Sequence, residues 1–393
     1  MKAIAKTIFM KCNRCGNVDQ NLFAKTNCNV CKQCFYCRKC LWVGKINGCQ
    51  DLKANPLVFL NEKPKLKLEY QLSNLQKQAS NFVMSCVGKK QDALLVAVCG
   101  AGKTEIIYQS INEMIKQKKK VCIAIPRVDV VRELKQRLVN DFKVKVSAFY
   151  GGSVDGTEAT FFIMTVHQLF KYPRLFDLVV LDEADAFPYS KDRTLQYAVK
   201  NSVNKDGSII YMTATPSLKL SMGIKNKFYV DSRYHNHRLD IPIFKKENFQ
   251  NECINEIVEG DEIYFIFVPT IKRLREFEKI YKLPYVGFVS SSSDERESTI
   301  NSFRNGELRV LFTTTVLERG VTFEGLNVCV INPNHQVYTV STLVQICGRV
   351  GRKIETPNGK ILFIVNKKTV KLIFCLFVII SKNIKSKWRG DIE

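Results

Sequence analysis

The stretch that most constrains this chain is Ala97-Val98-Cys99-Gly100-Ala101-Gly102-Lys103-Thr104, which follows an apolar run at residues 93–98 and opens a helix-like run at Thr104. A buried strand, a glycine turn and a helix N-terminus in that order form a cradle for a triphosphate. Gly100 and Gly102 permit backbone torsions that a side chain forbids, so consecutive amides, Ala101 included, can turn toward phosphate oxygens. The helix start adds unpaired N–H groups and a positive dipole end. Lys103 supplies a point charge for the β and γ phosphates, and the Thr104 hydroxyl suits Mg2+. The full pattern G-x-x-x-x-G-K-[ST] is not met, because Ala97 stands at its first glycine. A chance G-x-G-K-T in a loop is the bland alternative, and the strand and helix flanks speak against it.

The 393 residues, 46% hydrophobic and 25% charged, have the composition of a globular protein with sizeable cores. At about 100–200 residues per domain, two or three domains are expected. The formal charge of +23 suits a polyanionic partner or an acidic membrane surface, though a generally basic proteome gives the same number. Near the C-terminus, residues 372–380 are strongly apolar, yet nine residues fall short of the ~20 that a membrane span needs. That run reads as a buried element. With no export signal apparent, a reducing cytosol is the expected compartment, and disulfides are rare there.

Eight of the fifteen cysteines lie between Cys12 and Cys49. Cys12-x-x-Cys15 and Cys37-x-x-Cys40 are two thiolate turns of the kind that close a tetrahedral site around Zn2+. Cys28, Cys31 and Cys34 lie between them and Cys49 follows, so several ligand sets are open and eight thiolates suffice for two ions. We rank Cys12, Cys15, Cys37 and Cys40 first, with Cys28 and Cys31 as runners-up. Residues 1–50 bury too little to fold unaided, which argues for a metal. Basic residues with Phe35, Tyr36 and Trp42 among them suit a strand-tracking, base-stacking surface; a small local core is the alternative. The remaining seven cysteines read as small hydrophobes.

Residues 51–70 read as a linker. Residues 72–76, ending in Gln76, precede an amphipathic helix at 77–87, and this arrangement resembles superfamily 2 motors, in which a glutamine so placed reads the adenine edge. Beyond the glycine turn, apolar strands at 121–125, 160–165, 178–181 and 209–212 alternate with helical patterns, which argues for a parallel sheet covered on both faces. Ligands collect at the carboxyl ends of such strands. There lie Asp182 and Glu183, the first suited to hold Mg2+ and the second to orient and deprotonate an attacking water. Arg127, Thr165, Thr213 and Thr215 also follow strands and are expected to contact a phosphate backbone or couple it to the nucleotide. His167 reads as structural. A second set of strands, at 263–268, 285–289, 308–312, 328–331 and 361–365, lacks a phosphate loop of its own. It carries Thr313-Thr314-Thr315-Val316-Leu317-Glu318-Arg319-Gly320-Val321 and Gln345-Ile346-Cys347-Gly348-Arg349-Val350-Gly351-Arg352. Gln345, Arg349 and Arg352 are expected to act on phosphates, the two arginines by stabilising transition-state charge.

The order Gln76, Gly100 to Thr104, Pro126-Arg127, Asp182 to Asp185, Thr213 to Thr215, Thr313 to Val321 and Gln345 to Arg352 resembles a superfamily 2 helicase, whose phosphate loop takes the form A-x-x-G-x-G-K-T. Cys12-Asn13-Arg14-Cys15-Gly16, Tyr36-Cys37-Arg38-Lys39-Cys40, Asp129-Val130-Val131 and Asp182 to Tyr189 with its Asp-Ala-Phe-Pro-Tyr narrow the resemblance to the ComFA family. It covers nearly the whole chain. The family's Trp-x-Gly appears here as Leu68-Glu69-Tyr70, and Cys28, Cys31, Cys34 and Cys49 exceed its usual four cysteines.

The resemblance implies an α/β protein with two RecA-like parallel-sheet lobes preceded by a small four-cysteine zinc module: 1–50 zinc-binding, 51–70 linker, 71–240 the ATP-binding lobe, 241–393 the second lobe. It implies a competence ATPase stimulated by single-stranded DNA, using ATP, Mg2+ and Zn2+. The family's partners are ComFC and DprA, and the protein would act on the cytoplasmic side of the membrane, with peripheral association at the DNA-uptake channel as a further expectation. Its zinc ligands fall on Cys12, Cys15, Cys37 and Cys40. Another superfamily 2 helicase, or a zinc-bearing adaptor with an ATP switch, are the competing readings; DNA-against-RNA stimulation and the presence of turnover separate them.

Overall fold

The structure, a computed structural model, describes residues 1–393 except Thr7, Glu69, Tyr70, Ser292, Asp294, 318–322 and Glu393, together with the side chains of Asp129 and Val316. Part of the motif at 313–321, the Leu68-Glu69-Tyr70 departure and the Asp129 side chain therefore lie wholly or partly outside the described residues. The chain divides into two compact units, one of Met1–Val96 and Thr104–Tyr229, the other of Ala97–Lys103 and Val230–Glu393.

The first unit opens with two antiparallel hairpins. β1 (Ile4–Lys6) pairs with β2 (Met10–Cys12), and β3 (Phe23–Cys28) pairs with β4 (Lys32–Cys37) from Phe23↔Cys37 to Cys28↔Lys32. The described part of the linker segment, residues 51–68, contains β5 (Val58–Phe59) and lies along the sheet that follows. There the Val58 N–H donates to Thr157 O, Leu60 N–H to Ala159 O, and the Glu62 carboxylate accepts from the Lys145 N–H and the Thr160 hydroxyl.

The remainder of the unit alternates helix and strand: α1 (Asn74–Gly88), β6 (Ala93–Ala97), α2 (Lys103–Lys116), β7 (Val121–Ile125), α3 (Val128–Phe142), β8 (Val146–Tyr150), β9 (Ser153–Val154), β10 (Glu158–Ala159), β11 (Phe161–Thr165), β12 (Phe176–Leu181), α4 (Arg193–Ser202), β13 (Val203–Thr213), α5 (Leu218–Gly223) and β14 (Asn226–Val230). Among the described residues the main sheet runs β14-β6-β13-β12-β7-β11-β8-β9, parallel in every pair from β6 to β8. β6, β7 and β11 are buried at every residue, which is why their sequences are apolar, save for the Thr165 that ends β11, rather than alternating. β8 carries Ser147 between apolar neighbours and gave no such run.

The second unit holds β15 (Ile243–Lys246), α6 (Gln250–Glu259), β16 (Tyr264–Phe267), α7 (Ile271–Ile280), β17 (Val286–Val289), α8 (Arg296–Arg304), β18 (Val310–Thr313), β19 (Asn327–Ile331), α9 (Val340–Cys347), β20 (Ile361–Val365) and α10 (Val370–Trp388). Its described strands form a parallel sheet in the order β15-β20-β19-β16-β18-β17. Successive residues of β16 face opposite sides: Phe265 and Phe267 enter one core with Phe303 and Leu343, Tyr264 and Ile266 the other with Leu274 and Phe277. The apolar run at 372–380, expected as a buried element, is buried along one side only. On α10 its nine residues wrap the whole helix, so Leu372, Cys375 and Ile379 face the core while Ile373, Phe374 and Phe377 are exposed. Asp231 anchors the helix through Lys382 at 2.5 Å and Arg389 at 3.2 Å. No helix among the described residues is long and apolar enough to cross a membrane.

The cysteine module is docked on the rest of the first unit. Asn13 O accepts from the Tyr197 hydroxyl at 3.3 Å and the Asn201 amide at 3.2 Å, and Trp42 meets Phe170 edge-on at 5.2 Å. Gly16, at φ +73, lies under the Tyr197 ring; an added Cβ would come within 2.6 Å of it. Gly16→Ala is expected to destabilise this docking by about 1–3 kcal/mol, read as a lowered unfolding midpoint. Gly88→Ala, where a Cβ meets nothing within 4 Å, leaves that midpoint unchanged or raises it.

Candidate nucleotide site and cysteine centre

The loop between β6 and α2 turns at Gly100 (φ +82) and Gly102 (φ +70). The Ala101 N–H closes onto Val98 O at 3.2 Å, and Lys103 Nζ lies back over the loop, 3.3 Å from Ala97 O. The Cys99 thiol donates to Gln345 Oε1 at 3.0 Å, and a Cβ on Gly348 would fall 2.3 Å from Cys99 Cβ, so only glycine is tolerated there. Beside the loop sits Arg233, 1% exposed. Its guanidinium donates to Val350 O at 2.7 Å and Pro357 O at 3.2 Å, and pairs with Asp240 at 3.4 Å. Burial pushes the Asp240 carboxyl up, with the Arg233 charge opposing it. Arg349 is also 1% exposed, and Arg352 Nε donates to Gly348 O at 2.8 Å.

In the first unit, β12 delivers the acidic turn. Asp182 is nearly buried and its Oδ1 accepts from the Glu183 N–H at 2.8 Å. Glu183 has φ +54, a left-handed torsion that few residues other than glycine adopt. Asp185 binds both hydroxyls at the end of β13 and beyond it: Thr213 Oγ1 at 2.6 Å and Thr215 Oγ1 at 3.0 Å. The acidic turn and the Thr-Ala-Thr turn are thus one hydrogen-bonded assembly. Thr165 ends β11 and is buried, Arg127 stands at the N-cap of α3, and Thr315 begins a short 3-10 turn after β18. Gln76 caps its own helix: Ser73 N–H donates to Gln76 Oε1 at 2.8 Å while Gln76 N–H donates to Ser73 Oγ at 3.3 Å. That capping box is a local reason for a glutamine there, beside any role at an adenine. His167 packs against Trp42, and burial lowers its pKa.

Cys12, Cys15, Cys37 and Cys40 bring four buried sulfurs within 4.8 Å of one another. The Cys12–Cys40 and Cys15–Cys37 separations are 3.8 and 3.7 Å. A tetrahedron with Zn–S bonds of 2.3 Å has edges of about 3.8 Å, so this donor set fits zinc. Arg14 donates from Nε and a terminal nitrogen to Cys40 Sγ at 3.3 and 3.2 Å. Hydrogen bonds from Cys12 and Cys15, and then the Arg14 charge, hold the Cys40 thiol down to about 7. Cys28 and Cys31 are not part of this group; they gather with Cys34 and Cys49.

Sequence reasoning missed three things. Asp185 was in view within the acidic turn, but its double acceptance was not. Arg233 stands in no motif. Cys34 and Cys49 were counted but not assigned.

Comparison with known proteins adds identity to this geometry. Residues 2–54 match the family described as Competence protein ComFA N-terminal domain, 69–218 match Type III restriction enzyme, res subunit, and 245–353 match Helicase conserved C-terminal domain. Competence protein ComFA of Bacillus subtilis (strain 168) is 34% identical over 391 residues, covering 92% of this chain and 83% of the relative. The chain belongs to the ComFA family. Its counterpart in Streptococcus pneumoniae (strain ATCC BAA-255 / R6) is 35% identical, covering 84% of this chain and 81% of that protein. The structure of S. cerevisiae Dbp5 bound to RNA and ADP BeF3 superposes with a TM-score of 0.61 at 19% identity, covering 82% of this chain and 89% of the other. That likeness identifies the fold, two RecA-like lobes. Family and helicase domains together make this a competence-related, helicase-like ATPase.

Removing Arg233 strands the Asp240 carboxylate and the carbonyls of Arg238, Val350 and Pro357. Arg233→Met is expected to cost about 3–5 kcal/mol. Arg233→Lys, which keeps the charge and loses the fork, should recover only part of it. Urea unfolding of the two variants against the parent checks both.

Proposed function

We infer that the protein is a single-stranded-DNA-stimulated ATPase that helps draw transforming DNA into the cytoplasm. The observation that supports this most is the pairing of the two catalytic turns: the Asp182-Glu183 turn at the end of β12, tied through Asp185 to Thr213 and Thr215. In this reading the backbone from Gly100 to Gly102 cradles the phosphates, Lys103 neutralises their charge, and Gln76 meets the base. Thr104 and Asp182 would hold Mg2+, which when bound offsets charge on the β and γ phosphates. Glu183 orients the attacking water and takes its proton. Arg349 and Arg352 lend positive charge as it develops on the transferred group, and Gln345 positions the water or the phosphate.

The Asp185 bonds supply the coupling. A shift of the acidic turn with the state of the nucleotide moves Thr213 and Thr215, and with them a strand of DNA also held by Arg127, Thr165 and Thr315. Phosphate contacts of this kind favour binding without base specificity and with steep salt dependence. Cys12, Cys15, Cys37 and Cys40 would hold a structural zinc that cross-links the amino-terminal module. ComFC, DprA and the uptake channel, at the inner face of the membrane, are the partners this reading implies.

Glu183→Gln keeps the size of the side chain and removes the base. Turnover in the presence of single-stranded DNA should fall about 10²–10⁴-fold, with nucleotide binding retained. Lys103→Ala should lose both turnover and nucleotide affinity. Turnover near that of the parent in Glu183→Gln would reject the assignment of the base, and near-parental turnover in both variants would reject the site.

A further inference from the structure

At the far end of the β3–β4 hairpin, a second group of four cysteines converges. Cys28 and Cys31 bracket the turn as Cys-x-x-Cys, Cys34 stands on β4, and Cys49 arrives from the loop that returns past the hairpin. Their sulfurs all lie within 4.8 Å of one another. Cys28 Sγ and Cys49 Sγ are 3.4 Å apart, beyond a disulfide bond of about 2.05 Å and close to the edge of a zinc tetrahedron of about 3.8 Å. The Cys49 N–H donates to Cys34 Sγ at 3.3 Å, a bond that strengthens when the sulfur is a thiolate. The returning loop is fastened beside it by Gly48 N–H to Phe35 O at 2.8 Å.

We propose that Cys28, Cys31, Cys34 and Cys49 form a second, structural zinc site, separate from the one at Cys12, Cys15, Cys37 and Cys40. The hairpin register keeps the two sets apart. Cys37 pairs with Phe23 at one end of the ladder and Cys28 with Lys32 at the other. Cys34 and Cys37, three residues apart on one strand, are separated by about 10 Å, so one ion cannot draw on both sets. Four thiolates and no competing oxygen or nitrogen ligand favour a soft, tetrahedral ion.

Apart from the hairpin ladder and the loop's few hydrogen bonds, the tip has little apolar packing to hold it. Val30 is 81% exposed, and Lys32 and Gln33 are exposed, so little apolar surface is buried there. A metal would tie the tip to the loop at Cys49 and fix the basic residues Lys25, Lys32 and Lys45 on one rigid ribbon. None of this depends on the ATPase reading, and its test measures metal alone.

Full-length protein, purified without chelators under reducing conditions, should carry two zinc ions per chain by atomic emission. Cys31→Ser/Cys34→Ser should carry one, and so should Cys12→Ser/Cys15→Ser. X-ray absorption on the unaltered protein needs no variant to fold; it should report four sulfur neighbours around zinc on average, with no nitrogen or oxygen shell. One zinc per chain in the parent overturns the proposal. So does a second zinc that survives Cys31→Ser/Cys34→Ser, iron in place of zinc at these cysteines, or a Cys28–Cys49 disulfide in freshly reduced and desalted protein.

Discussion

Burial of parallel strands on both faces is the constraint from which the rest of this molecule follows. A strand with no solvent face must satisfy its backbone groups through its neighbours and favours apolar side chains along its length, so polar chemistry collects at its ends. β6 and β7 are apolar to their last residue, β11 is apolar up to the Thr165 that ends it, and β12 is apolar from Leu178 to Leu181; glycine, arginine or aspartate then follows β6, β7 and β12. Because they run parallel and in register, those breaks fall along one edge of the sheet. The acidic turn after β12 and the Thr-Ala-Thr turn after β13 are neighbours for that reason, and Asp185 joins them.

Much of this was legible in the sequence because the signal and the physical cause coincide. Uninterrupted apolar runs at 121–125 and 361–365 coincide with β7 and β20 as observed, since full burial leaves no alternative composition. The glycines of the phosphate loop take the positive φ values for which glycine is needed. Where a buried strand carries a satisfied polar residue, the signal fades: Ser147 on β8 is 2% exposed and donates to Gly156 O at 2.5 Å, so β8 has no contiguous apolar run. β13 extends well before its apolar segment because Val203 pairs with Phe176 ahead of a register shift, and a register shift has no local signature. α10 misled for the opposite reason: an apolar run suggests burial on all sides, yet a helix against one sheet can bury only one face.

The side-chain roles divide in the same way. Spacing alone identifies Cys-x-x-Cys turns but not which turns share an ion, because ligand sets are chosen by strand register. Once β3 and β4 pair, the eight cysteines separate into two ends of one hairpin. Arg233 is harder still. It is a guanidinium buried to 1% exposure whose partners include, besides Asp240 and Arg238 O nearby, the carbonyls of Val350 and Pro357, more than a hundred positions away. No sequence pattern encodes a bond to a distant backbone oxygen. Gln76 shows the converse: a residue in the right place for a nucleotide also has a purely local task, closing the capping box with Ser73.

The central claim is that nucleotide chemistry at these turns answers to a single strand of DNA. Steady-state ATP turnover by the full-length, zinc-loaded protein, measured at low salt with single-stranded DNA, duplex DNA and RNA of equal length, tests it most directly. The account predicts slow turnover alone, a severalfold rise with single-stranded DNA that declines steeply as salt is added, and weaker stimulation by the other two. Turnover that is the same with and without single-stranded DNA, or that responds only to RNA, would contradict it.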